Sequence, residues 1–420
     1  MRKITIKMNV KSKQPKNVPN LRFPEFEEEW EKCVFSDIGT FFKGVGISKD
    51  QLTKEGTPCI LYGELYTTYK NEVIKKVKSK TSTNTSGLVF SKANDVIIPS
   101  SGETAIDIST ACCVMLDNVL LGGDLNIIRP KKHNGSFISY QLNGKRKFDI
   151  AKIAQGSSII HLYNNSLKKI KINVPNNVKE EEKIVCLLSL LDDRISTQSQ
   201  IIENLQSLMK GLSKKLFSQQ LRFKDDNGKD YPNWEEKRLD ELCTKAKSGG
   251  TPKSTVREYY EGEIPFLSIS DMTRQGKYLF STEKTISKQG LDNSTSWIVP
   301  INSIIYSMYA SVGFVSINKI ELATSQAVLN IIVKPNVNTE FLYYFLEYYR
   351  NFIDKYITTG TQGNLNAETV KSFNISIPSI KEQTKIANFL FAIDEKLETE
   401  KQILQKYTEQ KKYLLANMFI

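Results

Sequence analysis

Two textures of hydrophobic and polar positions alternate along this chain, and they alternate twice. From about residue 20 to 178, short apolar runs are separated by turn residues such as Gly44, Gly46, Gly102 and Gly122-Gly123. The clearest runs are Asp95-Val96-Ile97-Ile98-Pro99, Ala111-Cys112-Cys113-Val114-Met115-Leu116 and Leu125-Asn126-Ile127-Ile128-Arg129-Pro130. That punctuation predicts strands. The stretch closes on Ile170-Lys171-Ile172-Asn173-Val174-Pro175, which alternates as a half-buried strand does. The period then changes. Ile184, Leu191, Gln198, Leu205 and Leu212 recur every seventh residue, and so do Leu188, Ile195, Ile202, Met209 and Leu216. Two such rows are the a and d positions of a heptad repeat and predict a long helix over 179–221. Glu180-Glu181-Glu182 at its start and Lys210, Lys214 and Lys215 near its end complement the helix dipole.

The second half repeats the order. Residues 222–379 return to short strands, with Pro265-Phe266-Leu267-Ser268-Ile269-Ser270 and Asn330-Ile331-Ile332-Val333-Lys334-Pro335 the clearest. One helical run carries Phe341, Tyr344, Phe345, Tyr348 and Phe352. Residues 380–420 are heptad again, with Ile386, Ile393, Glu400, Tyr407 and Leu414 in one row and Leu390, Leu397, Leu404, Lys411 and Met418 in the other. Short matches tie the halves together at offsets of about 201–204 residues: Trp30-Glu31-Lys32 with Trp234-Glu235-Glu236-Lys237, Leu191-Asp192-Asp193 with Ile393-Asp394-Glu395, and Lys215-Leu216-Phe217 with Asn417-Met418-Phe419. A period this long is a domain duplication, since solenoid repeats run about 20–50 residues.

The expected fold is α/β (α+β): a flexible basic tail over 1–19, a globular domain over 20–178, a helix over 179–221, a second similar domain over 222–379 and a helix over 380–420. Helices of this length reach roughly 50–60 Å at 1.5 Å per residue. Each stripe needs a partner, and the other stripe is the obvious one. The result would be an intramolecular antiparallel coiled coil with pseudo-twofold symmetry. Its contacts would be Leu191, Ile195, Ile202 and Leu205 on one helix and Ile393, Leu397, Leu404 and Tyr407 on the other. Gln198 and Glu400 share a heptad position near the two midpoints, where polar residues could set the register.

Charge narrows the partner. The formal net charge of +12 favours a polyanion, nucleic acid before a membrane surface. No run approaches the ~18 apolar residues of a membrane span, and the basic N-terminus has no apolar core of a signal peptide. The six cysteines form no C-x-x-C pair and there are two histidines, so no zinc site is expected and a reduced cytoplasm fits. Phe42-Lys43-Gly44-Val45-Gly46 has the F-x-G-x-G form of a methyltransferase cofactor loop. The Pro-Pro catalytic motif that should accompany it is absent from the sequence, as is a phosphate-binding G-x-x-x-x-G-K-[ST] loop. No catalytic residue and no metal ligand is expected.

In this order of parts the chain resembles the specificity subunit of type I restriction-modification systems, from Pro19 to Phe419. The resemblance is carried by Leu21-Arg22-Phe23-Pro24 with Trp30, and by Leu221-Arg222-Phe223 through Tyr231-Pro232-Asn233-Trp234. It is carried also by a strand-Pro followed by Glu/Gln and Lys-Ile at each helix start, and by Gly156-Ser157-Ser158 matched with Gly360-Thr361-Gln362-Gly363-Asn364-Leu365. The resemblance implies two target-recognition domains, each reading one half of a bipartite site in double-stranded DNA, with the helices as a ruler between them. It implies a non-catalytic protein without a cofactor of its own. Two modification (methyltransferase) subunits would methylate adenine, and restriction (translocase and nuclease) subunits would join them. S-adenosylmethionine, ATP and Mg would belong to those partners.

Reading bases takes polar side chains on exposed loops. In the first domain the candidates are Tyr62, Glu64, Tyr66, Thr67, Tyr69 and Lys70, with Ser100, Ser101, Glu103 and Thr104 on a second loop. Glu64 could accept from cytosine N4. In the second domain Ser268, Ser270, Asp271, Thr273 and Arg274 fall at the equivalent place, with Asp271 aligned to Glu64 and Arg274 suited to guanine. Tyr309 and Ser311 match the other loop, and Thr361, Gln362 and Asn364 precede the final strand. The competing expectation is a non-catalytic coiled-coil scaffold whose basic domains bind RNA or an acidic protein surface.

Overall fold

The computed structural model describes residues 7–8, 17–69, 71–356 and 363–420. Lys70, Thr361, Gln362 and most of the expected tail lie outside the described residues, and Lys7–Met8 pairs antiparallel with Leu21–Arg22. The chain divides into two units, one of Met1–Gln200 with Gln402–Ile420 and one of Ile201–Lys401.

The first unit is built on a five-stranded sheet in the order Gly39–Lys43, Leu125–Pro130, Asp95–Pro99, Cys112–Val114 and Val73–Ile74. Its strands are antiparallel except for the last pair. Asp95–Pro99 shows no alternation in sequence because it is buried on both faces. Val96 and Ile98 face one core, with Trp30, Phe137 and Leu188, whereas Ile97 faces another, with Cys112, Val114 and Ile127. A second five-stranded sheet joins Leu52–Thr53, Ser79–Thr81, Thr57–Ile60, Leu120–Leu121 and Val89–Phe90. A ribbon of Glu31–Val34 with Lys171–Val174 leads into the long helix.

The second unit repeats the main sheet and the ribbon strand for strand, with a smaller second sheet. Its main sheet runs Cys243–Ser248, Val328–Val333, Ile304–Ser307, Val315–Asn318 and Tyr278–Leu279, again with one parallel edge. A smaller sheet joins Lys284–Ile286, Tyr260–Leu267 and Ala323–Thr324, and the ribbon is Glu235–Arg238 with Asn374–Ile377. Ile304 and Tyr306 face one core and Ile305 another, as in the first unit.

Two long helices follow the ribbons, Val178–Phe217 and Ile380–Asn417. The first stops at Phe217 rather than at the expected Leu221, because Gln219 turns the backbone to φ 59°. Each helix contributes to both units. In the first unit residues 178–200 run antiparallel to 402–417. Lys411 meets Asp192, Arg194 reaches Tyr407 at 3.5 Å, and Ile184 and Leu188 share a core with Leu414 and Met418. In the second unit Leu216 and Phe217 join Ile386, Ala387 and Leu390. Of the expected stripe, Leu191 and Gln198 are buried and Ile195, Leu404 and Tyr407 half-buried in the first unit. Ile202, Leu397 and Glu400 are buried and Leu205 and Ile393 half-buried in the second. Among the described residues no helix is long and apolar enough to cross a membrane.

The repeated motifs are the joints that fix each domain to its helices. Arg22 makes a bidentate pair with Glu180 in the first turn of its helix, at 2.7 and 2.9 Å, and also donates to Glu28 O. Arg222 does the same with Glu382 at 3.1 and 2.8 Å. Glu181 accepts from Asn134 N at 2.7 Å, and its counterpart Gln383 accepts from Asn338 N at 2.7 Å. The first-turn carboxylates therefore do more than meet the helix dipole. An aromatic trio closes each joint: Trp30, Phe137 and Phe419 in one unit, Trp234, Phe341 and Phe217 in the other.

Candidate nucleic-acid interface

In the first unit the strand Thr57–Ile60 ends in a short helix, Glu64–Thr67, that presents the first polar loop. Glu64 holds that helix in place. One carboxylate oxygen accepts from Leu61 N at 2.8 Å and the other from the Ser79 hydroxyl at 2.5 Å. Asp271 has the same job in the second unit, accepting from Ser268 N and Oγ, from Glu283 N and from Arg274. The alignment of these two carboxylates holds, but both are engaged within the fold: Asp271 completes a capping box with Ser268, and Glu64 braces the turn ahead of its helix. Asp271 is fully buried, and so is out of reach of a base.

The second loop begins as the strand Ser101–Gly102, paired with Ile160–His161. Ser100 and Ser101 are buried, the former bonded through its N–H to Asp124 O, which removes both from the candidate set. Thr104 is exposed, but its hydroxyl is engaged by Asp107 in a turn. Tyr69 is half-buried, accepts from Lys78 N, and burial pushes its hydroxyl up to about 12. Tyr66 joins the two loops, since its hydroxyl lies beside Gly63 and Gly102. Burial raises its pKa, with smaller contributions from Tyr62, Asp107 and Glu103. The surface left to a ligand is Tyr62, Tyr66, exposed Thr67 and exposed Glu103.

Sequence reasoning missed the ground next to this surface. The strand Ile160–His161 leads to Tyr163, whose ring stacks near His161 at 6.1 Å and lies under the Lys43 ammonium at 5.9 Å. Asn164 Nδ2 donates to Phe42 O, tying this corner to the sheet edge. The clue in the sequence was Gly156-Ser157-Ser158, directly before the strand.

In the second unit the helix Ile269–Gln275 exposes Ser270, Thr273 and Arg274. Ser268 caps it and is half-buried. Arg274 is anchored by Asp271 at 2.8 Å and by Glu283, so its guanidinium is aimed rather than free. The matching loop is a tight tip. Ala310 and Ser311 have φ of 37° and 52°, and the buried Ser307 hydroxyl donates to Tyr309 O and Ala310 O at 2.8 Å. Two successive non-glycine residues at positive φ are costly and persist only where the surroundings enforce them. The tip holds Tyr309 and Ser311 exposed. Leu365 N bonds Met308 O, which places half-buried Asn364 beside the tip.

The F-x-G-x-G stretch is a backbone crossing. A Cβ on Gly44 would stand 1.9 Å from Gly122 O, and one on its counterpart Gly249 would stand 1.8 Å from Thr324 O. Glycine is required there by packing. Among the described residues no group of His, Cys, Asp and Glu could hold a metal ion.

The family described as "Type I restriction modification DNA specificity domain" matches twice, over residues 27–207 and 231–409. The MjaIX specificity subunit of Methanocaldococcus jannaschii is 30% identical over 49% of this chain and 48% of its own length. The MjaVIII specificity subunit of the same organism is 23% identical over 95% of this chain and 93% of its own. In fold, the crystal structure of the type I restriction-modification S subunit from M. genitalium superimposes with a TM-score of 0.62 at 19% identity, covering 96% of this chain and 99% of that one.

Proposed function

Because the chain belongs to the type I restriction-modification DNA specificity family, we propose that its two units each read one half of a bipartite duplex site. The reading directs adenine methylation or restriction by partner subunits. The observation that carries this is a constant scaffold with a changed surface. The strand order of the main sheet, the carboxylate that braces the helix after the strand and the aromatic joint are the same in both units. The side chains at the equivalent loops differ: Tyr62, Tyr66, Thr67 and Glu103 in one, Ser270, Thr273, Arg274, Tyr309, Ser311 and Asn364 in the other. Two different half-sites call for that combination, because base edges are distinguished by donor and acceptor pattern. Lys70, Thr361 and Gln362 remain candidates beside them. Lys43, His161 and Tyr163 extend the first surface towards phosphate and sugar.

The chain itself is not catalytic on this reading and carries no cofactor. S-adenosylmethionine serves modification subunits, and ATP with Mg serves restriction subunits. Exposed apolar side chains on the long helices, Leu190 and Leu208 at 52% and 50% exposure, suit docking of such partners. The helices set the gap between half-sites, whose faces recur about every 34 Å along B-DNA.

The test is methylome mapping in a methylation-free host expressing this chain with its cognate modification subunit. A split motif with a fixed gap, methylated on both strands, is the expected result. Glu103→Ala should relax one position in one half of the motif and leave the other half intact, a loss of about 1–3 kcal/mol of base discrimination. A co-purifying complex that adds no methylation would overturn the reading.

A further inference from the structure

Each unit buries one ammonium group between two carboxylates where its domain meets its helices, and the two units place that charge on opposite partners. In the first unit the cation is Lys411, on the C-terminal helix. It pairs with Glu72 of the globular domain and lies 2.7 Å from Asp192 of the central helix. Tyr140 Oη donates to the other Asp192 oxygen at 2.6 Å. The Lys411, Glu72 and Asp192 side chains are 13%, 10% and 5% exposed.

In the second unit Tyr344 and Asp394 stand where Tyr140 and Asp192 stand, and their hydrogen bond is kept at 3.2 Å. The position of Glu72, directly before the parallel edge strand, is taken by Lys277. The position of Lys411 on the helix is taken by Met209, which packs against the core. The cation now comes from the globular domain. Lys277 donates to Tyr344 Oη at 2.6 Å, pairs with Glu340 at 2.8 Å and lies 3.7 Å from Asp394. The rings of Tyr278, Tyr343, Tyr344 and Phe391 surround it at 4.2–5.0 Å.

We propose that this reversal is an address: it lets each globular domain dock on its own helix pair and rejects the other. Duplicated domains face a pairing hazard, because two similar domains could each pack on two similar helix pairs. Shape complementarity cannot separate them where the aromatic joints are alike. Charge can, since a buried ion without its partner is far costlier than a packing defect. The first domain on the second helix pair would bring Glu72 against Asp394 with only Met209 opposite, two carboxylates and no cation. The second domain on the first pair would bring Lys277 against Lys411. That arrangement is neutral with Glu340 and Asp192 but sets two ammonium groups face to face. The first mismatch is the worse of the two.

The experiment uses full-length chains and one helix substitution in two contexts. Met209→Lys in the parent chain should lower the unfolding midpoint of the second unit, because it puts an ammonium group at the position equivalent to Lys411 in a cluster whose cation is already Lys277. The same substitution in a Lys277→Glu background should raise the midpoint, because it returns a cation, on the helix as in the first unit, to a cluster that then holds the introduced carboxylate with Glu340 and Asp394. Each shift should be on the order of 5 °C. A third chain, with a second copy of residues 20–178 replacing 222–379, should gain soluble, cooperatively folding protein when Met209→Lys is added. Opposite signs in the two backgrounds support the address. The same sign in both, or no shift in either, overturns it.

Discussion

The two units satisfy the same buried carboxylate in different ways. In the first, Glu180 is 1% exposed and its side-chain partner is Arg22, itself 6% exposed. In the second, Glu382 is fully buried, but Arg222 is 23% exposed and Trp234 Nε1 adds a third donor at 3.2 Å. The equivalent Trp30 leaves its Nε1 buried with no partner among the described residues. A duplicated joint has kept its geometry and redistributed its dependence. One copy rests on a single ion pair, whereas the other spreads the load over two side chains and admits water.

The comparison is broken most directly by removing each arginine. Arg22→Ala strands Glu180 without a cation in a dry site and should cost the first unit about 3–5 kcal/mol. Arg222→Ala leaves Trp234 bonded to Glu382 and opens a path for water, so the second unit should lose about 2 kcal/mol. Native-state hydrogen exchange, read separately for each unit, measures both. Equal losses would mean that the extra donor and the exposure of Arg222 count for nothing.

A finer test replaces each tryptophan by phenylalanine. Both substitutions remove similar volume from similar aromatic trios, and because Trp30 is buried and Trp234 half-buried the cavity cost is somewhat larger in the first unit. Trp234→Phe also deletes a hydrogen bond to a buried carboxylate, whereas Trp30→Phe deletes an unpaired donor. The lost hydrogen bond, about 1–2 kcal/mol, should outweigh the difference in cavity cost, so the second unit should lose more than the first. Chemical denaturation of the two variants would show the gap, and a larger loss from Trp30→Phe would refute the assignment.

Periodicity made the long helices legible, because the rows through Leu191 and Ile393 repeat every seventh residue whatever surrounds them. The equivalence of Glu64 and Asp271 was legible too, since both follow a strand by a few residues. Their role was not. A carboxylate suited to cytosine N4 is equally suited to brace the turn into a helix, and the hydrogen bonds from Leu61 N and Ser268 N show it in that second use. Ser100 and Ser101 misled for a related reason, because a polar run beside a glycine gives no sign that one end is a paired strand. The charge reversal was hidden more deeply. Glu72, Asp192 and Lys411 are 339 residues apart at their widest, and nothing local in any of the three segments marks it as one part of a cluster.

The two buried lysines offer the smallest effect and a test that separates the units by slope. Burial lowers the pKa of Lys277 below the ordinary lysine value of about 10.4, with Glu340 and Asp394 offsetting only part of it. Lys411 is buried as well, but Glu72 and Asp192 outweigh the desolvation and leave its pKa above that value. A lysine lowered on folding carries its penalty at neutral pH and sheds it as pH rises from its folded pKa to the unfolded one. The parent chain should therefore gain stability relative to Lys277→Met as pH rises towards 10. A raised lysine behaves otherwise. Its contribution is complete below the unfolded pKa and is lost only as pH climbs through the folded pKa above it, so the gap between parent and Lys411→Met should stay level from pH 8 to 10. Urea unfolding of the three chains across that window distinguishes the two slopes. A level gap for Lys277→Met would mean that its aromatic surroundings and Glu340 compensate fully for the water it has lost, and that the two clusters differ in the placement of the cation but not in its electrostatic strain.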